Sequence, residues 1–146
     1  MTQSPHEPLN PKNWKPARGY ANGIAASGRL IFLGGLVGWT GEQEFESDDF
    51  VAQAAQIFHN IRAVLAEAGA RPEHLVRLTW YVTDKHEYLS CLRPLGAAYR
   101  AVLGRHYPAM ALVQVAALVE DRAKLEIEAT AVLPEPPAAG QGRAER

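Results

Sequence analysis

The side chains that could carry chemistry are few in this sequence, and their spacing completes no catalytic motif. Cys91 is the sole cysteine, which excludes an internal disulfide and a CxxC zinc site. The glycines of Gly34–Gly38 lack the helix start that a phosphate-binding GxGxxG loop needs. The sequence therefore predicts neither a metal nor a cofactor. Five histidines form neither HExxH nor another metal-ligand spacing: His6, His59, His74, His86 and His106.

Two glutamates near the end of the chain are candidates for acid–base work. In the predicted strand Lys124–Val132, apolar residues alternate with Lys124, Glu126 and Glu128, so these charged side chains share one face. A carboxylate on that face could hold a water molecule beside an electrophilic carbon. Alternation alone does not distinguish Glu126 from Glu128, and either could instead be a solvated or ion-paired glutamate.

Strands and helices in the order ββαβαββ would position these residues. Ser27-Gly28-Arg29 predicts a hairpin between the first two strands, and Pro94 either marks the first turn of the second helix or kinks it. Two helices can cover one sheet face, which leaves the other to pack on something else. The strands are predicted at Tyr20–Ala26, Leu30–Val37, Leu75–Val82, Ala111–Leu118 and Lys124–Val132, and the helices at about 48–68 and at Tyr88–Leu103.

The helix at about 48–68 has the clearest local signals. Ser47, Asp48 and Asp49 offer oxygen atoms for its N-cap, and Gly69 lies where a terminating glycine is expected. Apolar residues between them recur at steps of three and four, which is typical of a helix with one buried face. Ile61 lies in the middle of this stripe and is predicted to be fully buried.

Composition excludes several classes of protein. The 146 residues suit one domain, and a net charge of −1 argues against binding to nucleic acid or to an anionic membrane. No apolar run could span a bilayer, the first residues lack a signal-peptide pattern, so secretion is not expected, and the lone cysteine fits the reducing cytoplasm. The expected organisation is an irregular arm at 1–18, an α+β domain at 19–133 and a mobile tail at 134–146.

Several short sequence blocks follow each other across residues 19–133, in the same order in which they occur in a known family. They are Gly19-Tyr20 before a strand, LGGL at Leu33–Leu36, Gln53 with NIRAVL at Asn60–Leu65, VRLTWYVTD at Val76–Asp84, YPA at Tyr107–Ala109 with VQV at Val113–Val115, and LEIEA at Leu125–Ala129. Together they resemble the RidA/YjgF family of trimeric imine deaminases, which includes proteins called endoribonuclease L-PSP.

The resemblance implies a chorismate-mutase-like fold and a homotrimer whose bare sheet faces line its interior, with ligand clefts between subunits. It also implies hydrolysis of reactive enamines or imines to carbonyl compounds and ammonia. Under it, Glu126 matches the glutamate that handles the attacking water. Tyr20 matches the tyrosine of the pocket, and Gly35 matches the glycine whose backbone lines it.

The chain departs from the family where the substrate carboxylate is held. Met110 occupies the position of the clamping arginine, and a thioether cannot form the bidentate pair that a guanidinium forms. Losing a charged partner typically costs about 2–5 kcal/mol. Met110 therefore indicates a larger or more apolar ligand, unless it merely fills a gap. Other departures are Leu112 at an often-cysteine position, Gly34 and Leu36 at the serine and glutamine positions, and Gly96 near the cleft asparagine.

The remaining candidates each have a functional and a structural interpretation. Arg18 is a candidate substitute for the anion clamp or an ordinary surface arginine. Tyr20 could hydrogen-bond a ligand or cap the hairpin. Trp39 is a candidate wall of the pocket, Trp80 fits the core better, and Cys91 is expected to be inert.

Three functions are compatible with the resemblance. The first is a trimeric enzyme that hydrolyses an enamine or imine other than the usual small one. The second is a non-catalytic trimer that binds a metabolite or a partner protein in the same clefts. The third is ribonuclease activity, against which the near-neutral charge and the lack of a basic, aromatic-interleaved stripe argue.

Overall fold

The computed structural model describes residues 3–136, so most of the predicted mobile tail at 134–146 lies outside the described residues. Within this range the chain is a mixed α+β fold with three α-helices and a mixed sheet. The elements are β1 (Glu7–Pro8), β2 (Ile24–Ala25), β3 (Arg29–Val37), α1 (Phe50–Glu67), a 3-10 turn (Pro72–His74), β4 (Leu75–Val82), α2 (Lys85–Ser90), α3 (Leu92–Leu103), β5 (Ala109–Gln114) and β6 (Leu125–Leu133).

Helix α1 forms where its local signals predicted it. The Asp49 side chain accepts a hydrogen bond from the Ala52 amide at 2.9 Å and so caps the first turn. Gly69 follows the last turn with φ of +70°, a left-handed conformation that favours glycine. The buried stripe faces β3, β6 and α3, and Ile61 is 0% exposed, which confirms its predicted burial.

Four strands make the main sheet in the order β3-β6-β4-β5. The pair β4 and β5 is parallel, and the other pairs are antiparallel. Strand β4 has the predicted bounds, and β6 shows the predicted alternation of buried and half-buried residues. Both long helices lie on one face of the sheet, where their apolar residues form the core with Leu78, Trp80 and Ile127.

The predicted hairpin between Tyr20–Ala26 and Leu30–Val37 was wrong. Only Ile24–Ala25 of the first segment is a strand, and it pairs with β1 in the arm instead of β3. Leu9 adds a bond from its amide to the Gly23 carbonyl at 2.8 Å, so the arm satisfies the backbone groups that a hairpin would have used. The same segment reaches the opposite edge of the sheet, where the Ala21 amide donates to the Pro108 carbonyl at 3.0 Å.

The second predicted helix, Tyr88–Leu103, is two helices that meet at Cys91. Of the two interpretations of Pro94, the first applies, since Pro94 lies in the first turn of α3. Proline has no backbone N–H, and in the first turn this costs no hydrogen bond, because N–H groups there have no acceptor within the helix. The short α2 begins earlier than predicted because Asp84 caps it, accepting from the His86 amide at 2.8 Å.

The sheet face away from the helices is bare in the single chain. Phe32 is 73% exposed and Leu30 is 60% exposed on this face, beside the half-buried Glu126 and Glu128 of β6. Exposed apolar groups of this size on adjacent residues usually mark an interaction surface. The uncovered face inferred from the element order is therefore present.

Candidate functional site

A cleft of about 600 Å³ lies beside the edge strand β5, where α2, α3 and the segment around Tyr20 converge. Its volume falls within the range of about 300–1,000 Å³ that small-molecule sites occupy. Met110 and Leu112 of β5 line it, together with Arg18 and Tyr20 from the N-terminal segment. These four candidate site residues therefore meet in one cavity, which Trp80 and Gly96 also line.

The position of Met110 follows from the register of the sheet. Met110 pairs with the buried Leu78 of β4, so both side chains point toward the helices. The Met110 side chain is half-buried and packs against the core while it lines the cleft. Both interpretations of this residue, a gap filler and a wall of an apolar site, are compatible with that position.

Tyr20 and Arg18 reach the cleft through the backbone bond between Ala21 and Pro108. Because Pro108 directly precedes β5, this bond holds the N-terminal segment along the edge that carries Met110. Tyr20 does not cap a hairpin, because the segment pairs elsewhere. The Arg18 guanidinium is exposed, and no described residue forms an ion pair or a side-chain hydrogen bond with it.

Arg100 is a second cation of the cleft, and the sequence interpretation missed it. It lies on α3 four residues after Gly96, and a Cβ atom added to Gly96 would lie 3.1 Å from an Nη atom of Arg100. The guanidinium therefore extends across the bare backbone of Gly96. The spacing of four residues on a predicted helix was a signal that could have placed Arg100 beside Gly96.

Aromatic side chains form much of the wall, namely Tyr20, Trp80, Tyr88, Tyr99 and Tyr107. The rings of Tyr99 and Tyr107 are stacked, with centroids 5.4 Å apart. The Tyr99 hydroxyl donates to the His106 carbonyl, and burial raises the pKa of this hydroxyl well above its ordinary value. Trp80 is a core residue as expected, and its buried indole N–H has no acceptor in the described part of the chain.

Glu126 and Gly35 meet on the other face of the sheet. Strand β3 has one extra residue between Leu33 and Leu36 relative to β6, which makes a β-bulge at Gly34 and Gly35. A Cβ atom at Gly35 would lie 2.8 Å from the Glu126 carboxyl carbon, so a side chain here would displace this carboxylate. The Glu126 carboxylate forms no hydrogen bond or ion pair with any described residue.

Glu128 differs from Glu126 in its partner. The Tyr81 hydroxyl donates to the Glu128 carboxylate at 2.6 Å, and this bond, with burial, raises the pKa of the Tyr81 hydroxyl. Glu128 therefore has a structural partner, whereas the Glu126 carboxylate is available to bind water. This difference separates the two glutamates, which alternation along the strand could not do.

Two further candidates lie outside the cleft. Trp39 packs against Phe45 with ring centroids 5.8 Å apart, and its carbonyl accepts from the Asn60 amide at 2.8 Å. Trp39 does not line the cleft. Cys91 lies between α2 and α3, where burial raises the pKa of its thiol and so lowers its thiolate fraction.

The described residues include no group of three or more His, Cys, Asp or Glu side chains that could hold a metal ion. No helix in residues 3–136 is both long enough and apolar enough to cross a membrane.

Comparison with known proteins shows relatives of this chain in sequence and in fold. The family described as Endoribonuclease L-PSP matches residues 11–133. Protein DfrA of Myxococcus xanthus is 36% identical over 111 residues, which are 73% of this chain and 78% of that protein. A 2-iminobutanoate/2-iminopropanoate deaminase of Salmonella typhimurium is 30% identical over 116 residues, which are 77% of this chain and 86% of the deaminase.

Solved structures agree with the sequence relatives. The crystal structure of a Rid-family protein from Yersinia pestis, itself of unknown function, is 31% identical and superposes with a TM-score of 0.74. That alignment covers 88% of this chain and 98% of the other. RidA from an Antarctic Psychrobacter is 32% identical with a TM-score of 0.62, over 82% of this chain and 92% of its own.

Proposed function

Because this chain belongs to the RidA/YjgF family, we propose that it hydrolyses a reactive enamine or imine to a carbonyl compound and ammonia. The substrate is larger or more apolar than the small amino-acid imine, since Met110 puts an apolar side chain where the family has the arginine that clamps its carboxylate. The reaction proceeds in the cytoplasm and without a cofactor. Family relatives named as 2-iminobutanoate/2-iminopropanoate deaminases support the reaction class.

The free Glu126 carboxylate carries this proposal. It accepts a proton from a water molecule as the water oxygen attacks the imine carbon, and the resulting carboxylic acid gives that proton to the imine nitrogen, so that a carbinolamine forms. The carboxylate then accepts the hydroxyl proton of the carbinolamine and passes it to the amine nitrogen as the C–N bond breaks. Nitrogen leaves as ammonia, the carbonyl compound remains, and the carboxylate is regenerated. Gly35 supports this role because its lack of a side chain lets the Glu126 carboxylate lie against the backbone of the β-bulge.

Two copies of the chain are needed to complete such a site. Met110 is in register with Leu78, and Glu126 is in register with Tyr81 three residues further along β4, so they lie on opposite faces of the sheet. One ligand can contact both groups only where neighbouring copies meet. We therefore place the reaction in clefts between the subunits of a homotrimer, with the bare sheet faces turned inward.

Light scattering is expected to give a mass of about 48 kDa, three times the 16.0 kDa chain. Phe32→Glu should shift the protein toward monomer, because it would bury a charge in the trimer interior. Val119→Glu is the matched control, since Val119 is exposed but outside the sheet, and should leave the mass unchanged. A stable wild-type monomer at micromolar concentration would refute both the trimer and the shared cleft.

A panel of imines tests the proposed reaction. An amino-acid oxidase can generate imines of increasing side-chain size in situ, and the release of ammonia and carbonyl compound can be followed with and without the protein. Wild type should accelerate hydrolysis of aromatic or branched imines more than that of the alanine-derived imine. The proposal fails if the protein accelerates none of them above the spontaneous rate.

Met110→Arg should raise the rate on the alanine-derived imine at least tenfold, about 1.4 kcal/mol of transition-state binding. The reason is that a guanidinium restores the bidentate carboxylate contact. Met110→Leu is the matched control, because it keeps the volume and adds no charge. Combining Met110→Arg with Glu126→Gln should abolish the gain. A folded Met110→Arg trimer with unchanged activity would contradict this prediction and favour the binding function below.

The apolar lining favours one alternative, a non-catalytic trimer that binds a small metabolite or a partner protein in the same clefts. Met110, Leu112 and the aromatic wall supply contact area without supplying chemistry. The two functions differ in the fate of a bound imine. A binder would hold it with micromolar affinity and slow its spontaneous hydrolysis, whereas the proposed enzyme accelerates hydrolysis.

A further inference from the structure

The cleft beside β5 has an uneven charge distribution. Arg18 and Arg100 are the charged residues that line it in the described chain, and no acidic residue lines it. Neither guanidinium has an ion pair or a side-chain hydrogen bond with a described residue. Unpaired arginines at the rim of an apolar cavity attract a carboxylate, to which each can donate two parallel hydrogen bonds.

Gly96 leaves room for the Arg100 guanidinium against α3. The 3.1 Å separation between an added Cβ and the guanidinium nitrogen is tighter than ordinary van der Waals contact. A side chain at position 96 would therefore shift the guanidinium by a few tenths of an ångström. Glycine inside a helix costs roughly 0.5–1 kcal/mol relative to alanine, so Gly96 keeps this space open at the expense of stability.

The rest of the wall suits a flat apolar body. Tyr88, Leu92 and Tyr107 line the cleft together with the sheet residues Met110 and Leu112. Leu92 is 49% exposed in the single chain, so a ligand in the cleft can cover it. Aromatic and aliphatic walls of this kind bury a ring, and a three-carbon acid would leave most of them in contact with water.

We propose that this cleft binds an aromatic 2-oxo or 2-imino acid, with Arg100 as the principal carboxylate ligand and Arg18 as a second cation. Arg100 thereby supplies, from α3, the charge that position 110 lacks on β5. That the bound acid is also a substrate rests on the proposed function, whereas its binding does not. The proposal makes Arg100 and Gly96 determinants of specificity and assigns neither a part in the chemistry.

The test compares three probes by titration calorimetry on the full chain: phenylpyruvate, the uncharged phenylacetone and the small anion pyruvate. Phenylpyruvate should bind at least tenfold more tightly than either of the others, because only it engages both the arginines and the aromatic wall. Arg100→Gln should weaken phenylpyruvate binding about tenfold and leave phenylacetone binding unchanged. Arg93→Gln is the matched control, since Arg93 lies on the same helix but does not line the cleft.

Gly96→Ala provides an independent variant that keeps both arginines. It should raise the melting temperature, because alanine favours the helix, and weaken phenylpyruvate binding at least threefold, because the guanidinium is displaced. Equal affinity of wild type and Arg100→Gln for phenylpyruvate would overturn the inference, as would equal binding of phenylacetone and phenylpyruvate.

The two proposals fail in different ways. Imine hydrolysis that does not depend on Arg100, with unchanged phenylpyruvate binding in Arg100→Gln, would leave the proposed function in place and remove the inference. Binding of phenylpyruvate that depends on Arg100, without hydrolysis of any imine, would do the reverse.

Discussion

Replacing Ile61 with alanine is expected to lower the free energy of unfolding by about 2–5 kcal/mol. Ile61 is 0% exposed in the middle of α1 and belongs to the main core. The substitution loses the transfer free energy of the removed carbon atoms and leaves a cavity that the tightly packed neighbours cannot fill. Denaturant unfolding followed by circular dichroism, at one fixed protein concentration, measures the change.

Val64→Ala is the matched control on the same helix. Val64 is 41% exposed, so its truncation removes a branched side chain without opening a cavity. Alanine also favours the helix over a β-branched residue by a few tenths of a kcal/mol, and the control measures that gain. The expected loss for Val64→Ala is below about 1 kcal/mol. A loss below about 0.5 kcal/mol for Ile61→Ala would mean that the site tolerates a cavity, contrary to its burial.

Glu126→Gln is expected to reduce kcat for imine hydrolysis by at least about 100-fold, within the range that general-base catalysis contributes. The amide keeps the shape of the side chain but cannot accept the proton of the attacking water. Binding of phenylpyruvate should not weaken, because its carboxylate is held by Arg100 of α3 and not by Glu126 of β6. Initial rates on the best imine of the panel, with calorimetry on the same preparation, provide both measurements.

Glu128→Gln is the control that distinguishes loss of the general base from loss of one negative charge on this sheet face. It removes one negative charge from the same strand and the same face, at a carboxylate that already accepts from Tyr81. Its kcat should stay within about threefold of wild type. Equal losses in the two variants would attribute the effect to the electrostatic field of the face and would remove Glu126 as the general base.

Subunit exchange offers a direct test of the shared site. In the proposed trimer, Glu126 of one copy and Met110 of its neighbour act on one ligand. Leu112→Glu should block the cleft beside β5 by placing a charge in its apolar wall. Glu126→Gln removes the general base that the neighbouring copy contributes to that cleft. Mixing the two inactive variants should restore part of the activity, because some mixed clefts then contain neither substitution.

Local pattern was sufficient for several parts of the fold. Helix α1 was predictable because its cap, its apolar stripe and its terminating glycine lie in one continuous segment. Strand β4 had the predicted bounds, and the alternation in β6 placed Glu126 and Glu128 on one face. In each case the signal and the element occupy the same residues, so no distant partner was needed to interpret them.

Which strands pair with each other was not predictable from local pattern. Ser27-Gly28-Arg29 is compatible with a hairpin, but backbone groups in the arm compete for the same segment. Gly28 adopts φ of +144° with the end of β6 so close that an added Cβ would lie 2.3 Å from the Leu133 carbonyl oxygen. The turn thus conforms to β6, which is a strand that lies about a hundred residues further along the chain.

The sequence by itself determined the family, the buried stripe of α1, the absence of an arginine at position 110 and the two glutamates that could act as a base. Only the tertiary structure decided that Arg18, Tyr20, Met110 and Arg100 line one cleft and that Glu126 lies on the opposite sheet face. The physical reason is that side-chain periodicity is a local property, whereas strand pairing depends on which backbone edges remain free after the whole chain has folded.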